Sequence, residues 1–418
     1  MKRILAIFTA LTAIMVATNA QNVGTDVPEQ GFYKDLFLDS GIQIFNYPPM
    51  PAALWLGLDT ELLSLDEEAT EENLEAQRKV ICGREDDLNG CLLYPDGEPR
   101  FKAMYVYGGL ATQHGRSLGA EGLDRIRTFF LNGGSYVGSC AGAYLASVGI
   151  NVDNFKKDYL GIWPGYSDEV VVEDVYPDYI IPEDSPLLKY YDFGGDGQVD
   201  SVMHWNGPVF KLWDSVPGTE ALARNELDGS PLDGNVSIIA YKPSAESGRL
   251  VISGGHPENV KDGERRSLMA ALLRYAMDGA GRANVKGTLT NGEVIRMTAS
   301  TADNDPAHTM IGDGQCHHFL LHLDKKARKV KISLSFAYPL SLRVAEGTFA
   351  FKDNAMYTAG VDVAGTKSLR QESGIELNIK KLPAGDWYIC VQNEDRATDE
   401  DNAFLLNGVP YTISASWK

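Results

Sequence analysis

The chain has 418 residues, a length that fits two or three domains, and 44% of them are apolar, so a sizeable core can form. Asp and Glu number 57 against 38 Lys and Arg, a formal net charge of −19. That acidity argues against nucleic acid and anionic membrane as partners, because both need clustered cations.

Residues 1–20 read as a secretory signal peptide. Lys2 and Arg3 form a basic start, residues 4–16 are an uncharged apolar run, and Thr18, Asn19 and Ala20 offer the small residues of a cleavage site before Gln21. The run is shorter than the ~20 apolar residues of a membrane span, and no later segment is long and apolar enough. No membrane span is expected, and the mature chain is expected to be secreted or periplasmic. No Cys follows the cleavage site, so no lipid anchor is indicated.

Further along, residues 42–46 read as a first strand, and 65–80 as an acidic helix. Residues 103–107 form a short apolar run that enters a loop at Gly108-Gly109. Helical spacing over 121–131 stops at Asn132-Gly133-Gly134. A strand at 135–138, a small-residue helix at 141–147, strands at 237–241 and 250–253, and a helix at 267–277 follow. Strands alternating with helices predict an α/β domain with a parallel sheet and crossover helices. Near Ala280 the pattern changes. Apolar alternation at 330–336, 375–379, 387–392 and 411–417, with no helical period, predicts an all-β sandwich. The expected division is a signal at 1–20, an α/β domain at 21–281 and an all-β domain at 282–418.

There are five cysteines. In an oxidising compartment Cys82 can pair with Cys91, and Cys316 with Cys390, or these four can be buried thiols. Either way Cys140 is the odd thiol, which in a secreted chain flags reactivity.

Cys140 also sits in the strongest local motif, Gly138-Ser139-Cys140-Ala141-Gly142, between an expected strand and an expected helix. That is the setting of a nucleophile elbow, a turn too sharp for side chains at the flanking glycines. A helix N-terminus there favours thiolate over thiol. The Ala141 N–H is expected to face a developing oxyanion, with a second donor at Gly109 or Leu110. His256, in Gly254-Gly255-His256-Pro257-Glu258, is the candidate base, and an extended His-x-Glu segment can set Glu258 beside the imidazole. Taken singly, the cysteine motif reads as a packed turn and the histidine motif as a loop; their combination, with the upstream glycine pair, is what points to catalysis.

Tyr105 to Leu110, Leu123 to Ser147, Trp205 to Pro208 and Gly254 to Glu258 together resemble the amidotransferase-like domain at the N-terminus of eukaryotic biotin–protein ligases and related stand-alone bacterial proteins. The resemblance spans roughly residues 40–280. It implies a flavodoxin-like α/β fold in which Cys140, His256 and Glu258 match the triad of class I glutamine amidotransferases. Trp205, Asn206 and Gly207 would form a loop near the site, with His204 structural. Relatives carry Pro where this chain has Tyr107, before the glycine pair. No biotin ligase catalytic domain is evident, so biotin transfer is not implied. The C-terminal region, with Leu382 to Ile389 and Pro410 to Ser414, resembles the β-sandwich of pre-peptidase C-terminal domains, which implies an accessory domain contacting glycan or protein.

No cofactor and no metal are expected. His317, His318 and His322 cluster in sequence, but no carboxylate or Cys pattern completes a site around them. The expected function is a cysteine hydrolase that cleaves a peptide or cell-wall-type amide through a thioester. The alternative is a catalytically silent binding protein of the cell envelope.

Overall fold

The computed structural model describes residues 31–39, 50–63, 70–83, 88–281, 283–301, 307–360, 374–394 and 407–418. The expected signal peptide and the expected strand at 42–46 lie outside the described residues. In chain order the first region comprises β1 (Lys34–Asp39), α1 (Pro51–Leu56), β2 (Thr60–Leu63), α2 (Glu71–Cys82), β3 (Phe101–Val106), α3 (Ala111–Leu131), β4 (Ser135–Ser139), α4 (Ala141–Ala146), β5 (Gly149–Ile150), β6 (Tyr166–Glu169), β7 (Asp178–Ile180), β8 (Gln198–Val199), β9 (Pro208–Val209), β10 (Thr219–Glu226), β11 (Val236–Tyr241), β12 (Leu250–Ser253) and α5 (Gly263–Met277). Nine of these strands form one sheet in the order β2-β1-β3-β4-β12-β11-β10-β7-β8, and β5, β6 and β9 form a small separate one.

The expectation of a parallel sheet holds on one side only. Neighbours from β2 through β12 run parallel, whereas the pairs β12–β11, β11–β10, β10–β7 and β7–β8 are antiparallel. The reason is the connection. β11 reaches β12 through residues 242–249 alone, too short for the crossover a parallel pair needs. Helices cover both faces of the parallel half. Ile81, Ile126 and Leu145 from α2, α3 and α4 enter the core on one face, and Ala53 and Leu272 from α1 and α5 the other. β4 and β12 are therefore buried at every position, which explains why they read as continuous apolar or small-residue runs. The helix expected at 121–131 is the second part of α3, which begins at Ala111 and kinks at Gly119, where φ is 63°.

The second region comprises β13 (Val285–Thr288), β14 (Val294–Met297), β15 (Cys316–Leu323), β16 (Ala327–Phe336), β17 (Ser341–Glu346), β18 (Tyr357–Gly360), β19 (Ile375–Leu382), β20 (Gly385–Gln392) and β21 (Tyr411–Ser416). Five strands pair in the order β13-β15-β20-β17-β18 and four in the order β14-β21-β16-β19. All pairs but β13–β15 are antiparallel. Both sheets feed one apolar cluster, with Phe319 and Ile389 from the first and Ile332 and Ile413 from the second. Burial alternates along β21, the period-two pattern of a strand with one covered face.

The two regions touch. Tyr94 Oη donates to the Asp313 carbonyl at 2.5 Å, Gln315 Nε2 donates to Asp96 Oδ2 at 2.7 Å, and Lys286 pairs with the same oxygen at 2.7 Å. Gly312 lies so close under the Tyr94 ring that an added Cβ would be 2.3 Å from Cδ1. Burial, and then the neighbouring Asp96 charge, raise the Glu98 carboxyl here to about 7.

All five cysteines are free thiols, so neither possible bridge is formed. Cys82 closes α2 and Cys91 follows in the next turn, both half-buried. Burial, and then the charge of Glu121, raise the Cys82 thiol, which slows its reaction at neutral pH. Cys316 faces Gln392 and Cys390 faces His318 across β15 and β20, so the two cysteines are diagonal neighbours rather than opposed.

Candidate active site

Three adjacent parallel strands end at one place. β3 and β4 align Val106 with Gly138, and β4 and β12 align Ser139 with Ser253. The loops that leave them carry Gly108 to Leu110, Cys140, and Gly254 to Glu258. A crevice outside the carboxyl ends of parallel strands is where open α/β sheets bind ligands.

Cys140 is held in the left-handed region, with φ 47° and ψ −104°. A non-glycine residue there is strained, and the turn persists only because its surroundings fix it. Two glycines make that packing feasible. A Cβ on Gly142 would lie 2.2 Å from the Val106 carbonyl oxygen, and one on Gly138 would lie 2.7 Å from the Gly142 carbonyl carbon. Cys140 N–H donates to the Ser253 carbonyl at 2.9 Å, tying the elbow to β12. Cys140 as a whole is 7% exposed.

His256 is anchored by its N–H to the Met203 carbonyl at 2.8 Å, and its Nδ1 hydrogen-bonds Glu258 Oε1 at 2.8 Å. The two meet by a route the sequence did not reveal. Pro257–Asn259 is a 3₁₀ turn rather than an extended segment, and the turn folds the carboxylate back onto the ring. Cys140 stands beside the same imidazole. Both side chains lie over Gly108, where an added Cβ would be 2.5 Å from His256 Cε1 and 3.5 Å from Cys140 Cβ. Burial pulls the imidazole down, but the Glu258 charge, the neighbouring Cys140 and the hydrogen bond to Glu258 outweigh it and lift His256 to about 10.

The N–H groups of Ala141, Gly109 and Leu110 have no backbone acceptor among the described residues. Trp205, Asn206 and Gly207 do reach the site. The Trp205 carbonyl accepts from Cys140 Sγ at 3.6 Å, the Asn206 carbonyl accepts from Tyr144 Oη at 3.1 Å, and Asn206 Nδ2 donates to Glu173 at 2.9 Å. A Cβ on Gly207 would lie 1.8 Å from the Gly254 carbonyl oxygen, so that glycine permits the close packing of this loop on the histidine loop. His204 is buried. Burial and then the charge of His256 push it down to about 4, leaving it too weak a base to take a thiol proton at neutral pH.

Sequence reasoning missed a buried chain behind the carboxylate. Tyr105 Oη donates to Ser139 Oγ at 2.8 Å, and Ser139 Oγ donates to Glu258 Oε1 at 2.9 Å. Ser139 stood in the motif as a variable position. Only the β4–β12 register, which sets Ser139 against Ser253, brings it to the loop that follows β12. The three C-terminal histidines do not form a group. His317 hydrogen-bonds Tyr411, His322 is exposed and hydrogen-bonds Asp386, and His318 is buried beside Phe349 and Phe351.

A family model described as biotin-protein ligase, N terminal, matches residues 98–160. No curated protein matches the sequence. Among solved structures, the chain is similar to a glutamine amidotransferase at 21% identity, covering 55% of this chain and 91% of that one, with a TM-score of 0.34. It is also similar to the pre-peptidase C-terminal domain of a collagenase from Bacillus anthracis at 13% identity, covering 32% of this chain and all (100%) of that one, with a TM-score of 0.21. Both resemblances are distant. Among the described residues, no helix is long and apolar enough to cross a membrane.

Proposed function

We propose that this protein is a secreted or periplasmic cysteine hydrolase that cleaves a peptide or glutamyl-type amide through a thioester, using Cys140, His256 and Glu258. The observation that carries the reading is the strained Cys140 turn set beside an imidazole that is itself hydrogen-bonded to a buried carboxylate, both side chains lying over Gly108. Cys140 Sγ attacks the carbonyl carbon, its proton having passed to His256. The Ala141 N–H, with Gly109 or Leu110, stabilises the oxyanion. The imidazolium then protonates the departing amine. In the second half His256 takes a proton from water, the hydroxide attacks the thioester, and the thiolate leaves. Glu258 holds the ring in position throughout. Residues 21–281 would form a flavodoxin-like catalytic domain and 282–418 an accessory sandwich that contacts glycan or protein.

A peptide or cell-wall-type amide suits the site better than free glutamine. Trp205 is 43% exposed and Leu110 51% exposed, which gives the rim of the crevice apolar surface for a substrate longer than one amino acid. Ammonia released outside the cell also reaches no synthase. The test is hydrolysis of free glutamine against peptide amides and cell-wall fragments, with a Cys140→Ala control subtracted. Turnover of peptide amides is the expected outcome. Turnover of glutamine alone contradicts the substrate assignment, and no turnover with an unreactive Cys140 favours the silent binding protein.

A further inference from the structure

A second constellation lies in the C-terminal region, away from Cys140. The Sγ atoms of Cys316 and Cys390 and a ring nitrogen of His318 all lie within 4.8 Å of one another, and all three residues are buried. The sheet register assembles them. Cys316 and His318 are two apart on β15 and so share a face, and Cys390 on β20 stands directly opposite His318. This face points away from the main C-terminal core. Phe319, Ile389 and Val391 enter that core, while Cys316 and Cys390 cluster with Ala345 and Ala350. We propose that Cys316, His318 and Cys390 form a binding site for a thiophilic divalent cation of the zinc type.

His318 is fully buried with the edges of Phe349 and Phe351 against it, and neither of its ring nitrogens has a hydrogen-bond partner. A buried imidazole without partners is costly, and its lone pair needs an acceptor of another kind. Burial keeps the ring neutral, the form that ligates. The donor chemistry fits as well. Two thiolates, one neutral imidazole and a divalent cation sum to zero charge, the balance a buried site favours. Tetrahedral zinc with its usual bond lengths sets such donor atoms about 3.5–3.8 Å apart, within reach of the present arrangement after a small contraction. Cys316 also lines a cleft open to solvent, the side from which a cation would enter.

A disulfide is the rival for the two sulfurs, and it fits less well. The strand register sets the two cysteines diagonally rather than directly opposite, and both are free thiols in the structure. A disulfide would also leave His318 unpartnered.

The experiment uses the full chain, reduced and stripped of metal, titrated with Co²⁺ as a spectroscopic probe and with Zn²⁺ in competition. The expected result is stoichiometric uptake with thiolate-to-cobalt charge-transfer absorption and tetrahedral d–d bands, displaced by Zn²⁺. These signals are lost in Cys316→Ser, Cys390→Ala and His318→Phe and kept in Cys140→Ala. The Phe substitution fills the aromatic niche, so loss of binding with an unchanged melting temperature in the metal-free state separates ligation from folding. No thiolate-to-cobalt band, a band that survives in both cysteine variants, or a Cys316–Cys390 disulfide in the protein as isolated each overturns the proposal.

Discussion

Gly108→Ala is a sharp test of the proposed site, because it alters none of the reacting groups. An alanine Cβ at that position would lie 2.5 Å from His256 Cε1 and 3.3 Å from Nδ1. Carbon atoms in comfortable contact are about 3.5–4.0 Å apart, so the imidazole must retreat by about 1 Å. The retreat strains the 2.8 Å bond to Glu258 and takes the ring away from Cys140. A misplacement of that size costs about 100-fold in rate, or about 2.7 kcal/mol of barrier. The assay is the alkylation rate of Cys140 by iodoacetamide, followed by site-resolved mass spectrometry, with amide turnover beside it and thermal melting as a check on folding. A folded Gly108→Ala variant that reacts and turns over at the parent rate would refute the placement of His256 as the partner of Cys140.

Three further outcomes are expected. Because the folded protein raises His256 from 6.5 to about 10, its contribution to stability is full below pH 6.5 and is lost as pH rises through about 10; amide turnover falls through the same upper limb as the imidazolium is lost. Chemical denaturation of the parent and His256→Ala across that window checks this, and a stability difference that grows with pH contradicts it. Ser139→Ala removes the buried hydroxyl that donates to Glu258 at 2.9 Å, and a hydrogen bond to a charged group is worth about 1.5–3 kcal/mol, so urea unfolding is expected to register a loss of that size with a smaller fall in Cys140 reactivity than in Glu258→Gln. A protein ending at Gly281 keeps both cores of the first region but loses the partners of Tyr94 and Asp96, so it is expected to fold with a lower melting temperature than the full chain, and a molten product would mean that the regions are not separable.

The parts of the site legible in sequence are those set by local geometry. The elbow announced itself because its two glycines flank Cys140 two residues to either side, a pattern visible in sequence, although the clash that Gly142 answers is with Val106 of β3. The histidine loop was legible from its His-x-Glu spacing and Gly207 through the family resemblance, and the structure gives the contact that joins them. What stayed hidden depends on register between strands far apart in sequence. Ser139 is ordinary until β12 places Glu258 beside it, and His318 gains its two cysteine neighbours only through the β15–β20 pairing. The antiparallel half of the large sheet escaped for a related reason. Apolar runs mark β11 and β12 as buried strands, but their direction is set by the length of the loop between them.

In the proposed mechanism Cys140 carries the acyl group. Rapid quenching of the full chain with an activated peptide ester or amide, followed by intact and peptide mass spectrometry, measures this directly. The expected result is an acyl adduct on Cys140 in the parent protein, formed more slowly in His256→Ala and absent from Cys140→Ala. Turnover of the amide with no adduct on Cys140, or with equal turnover in Cys140→Ala, would contradict it.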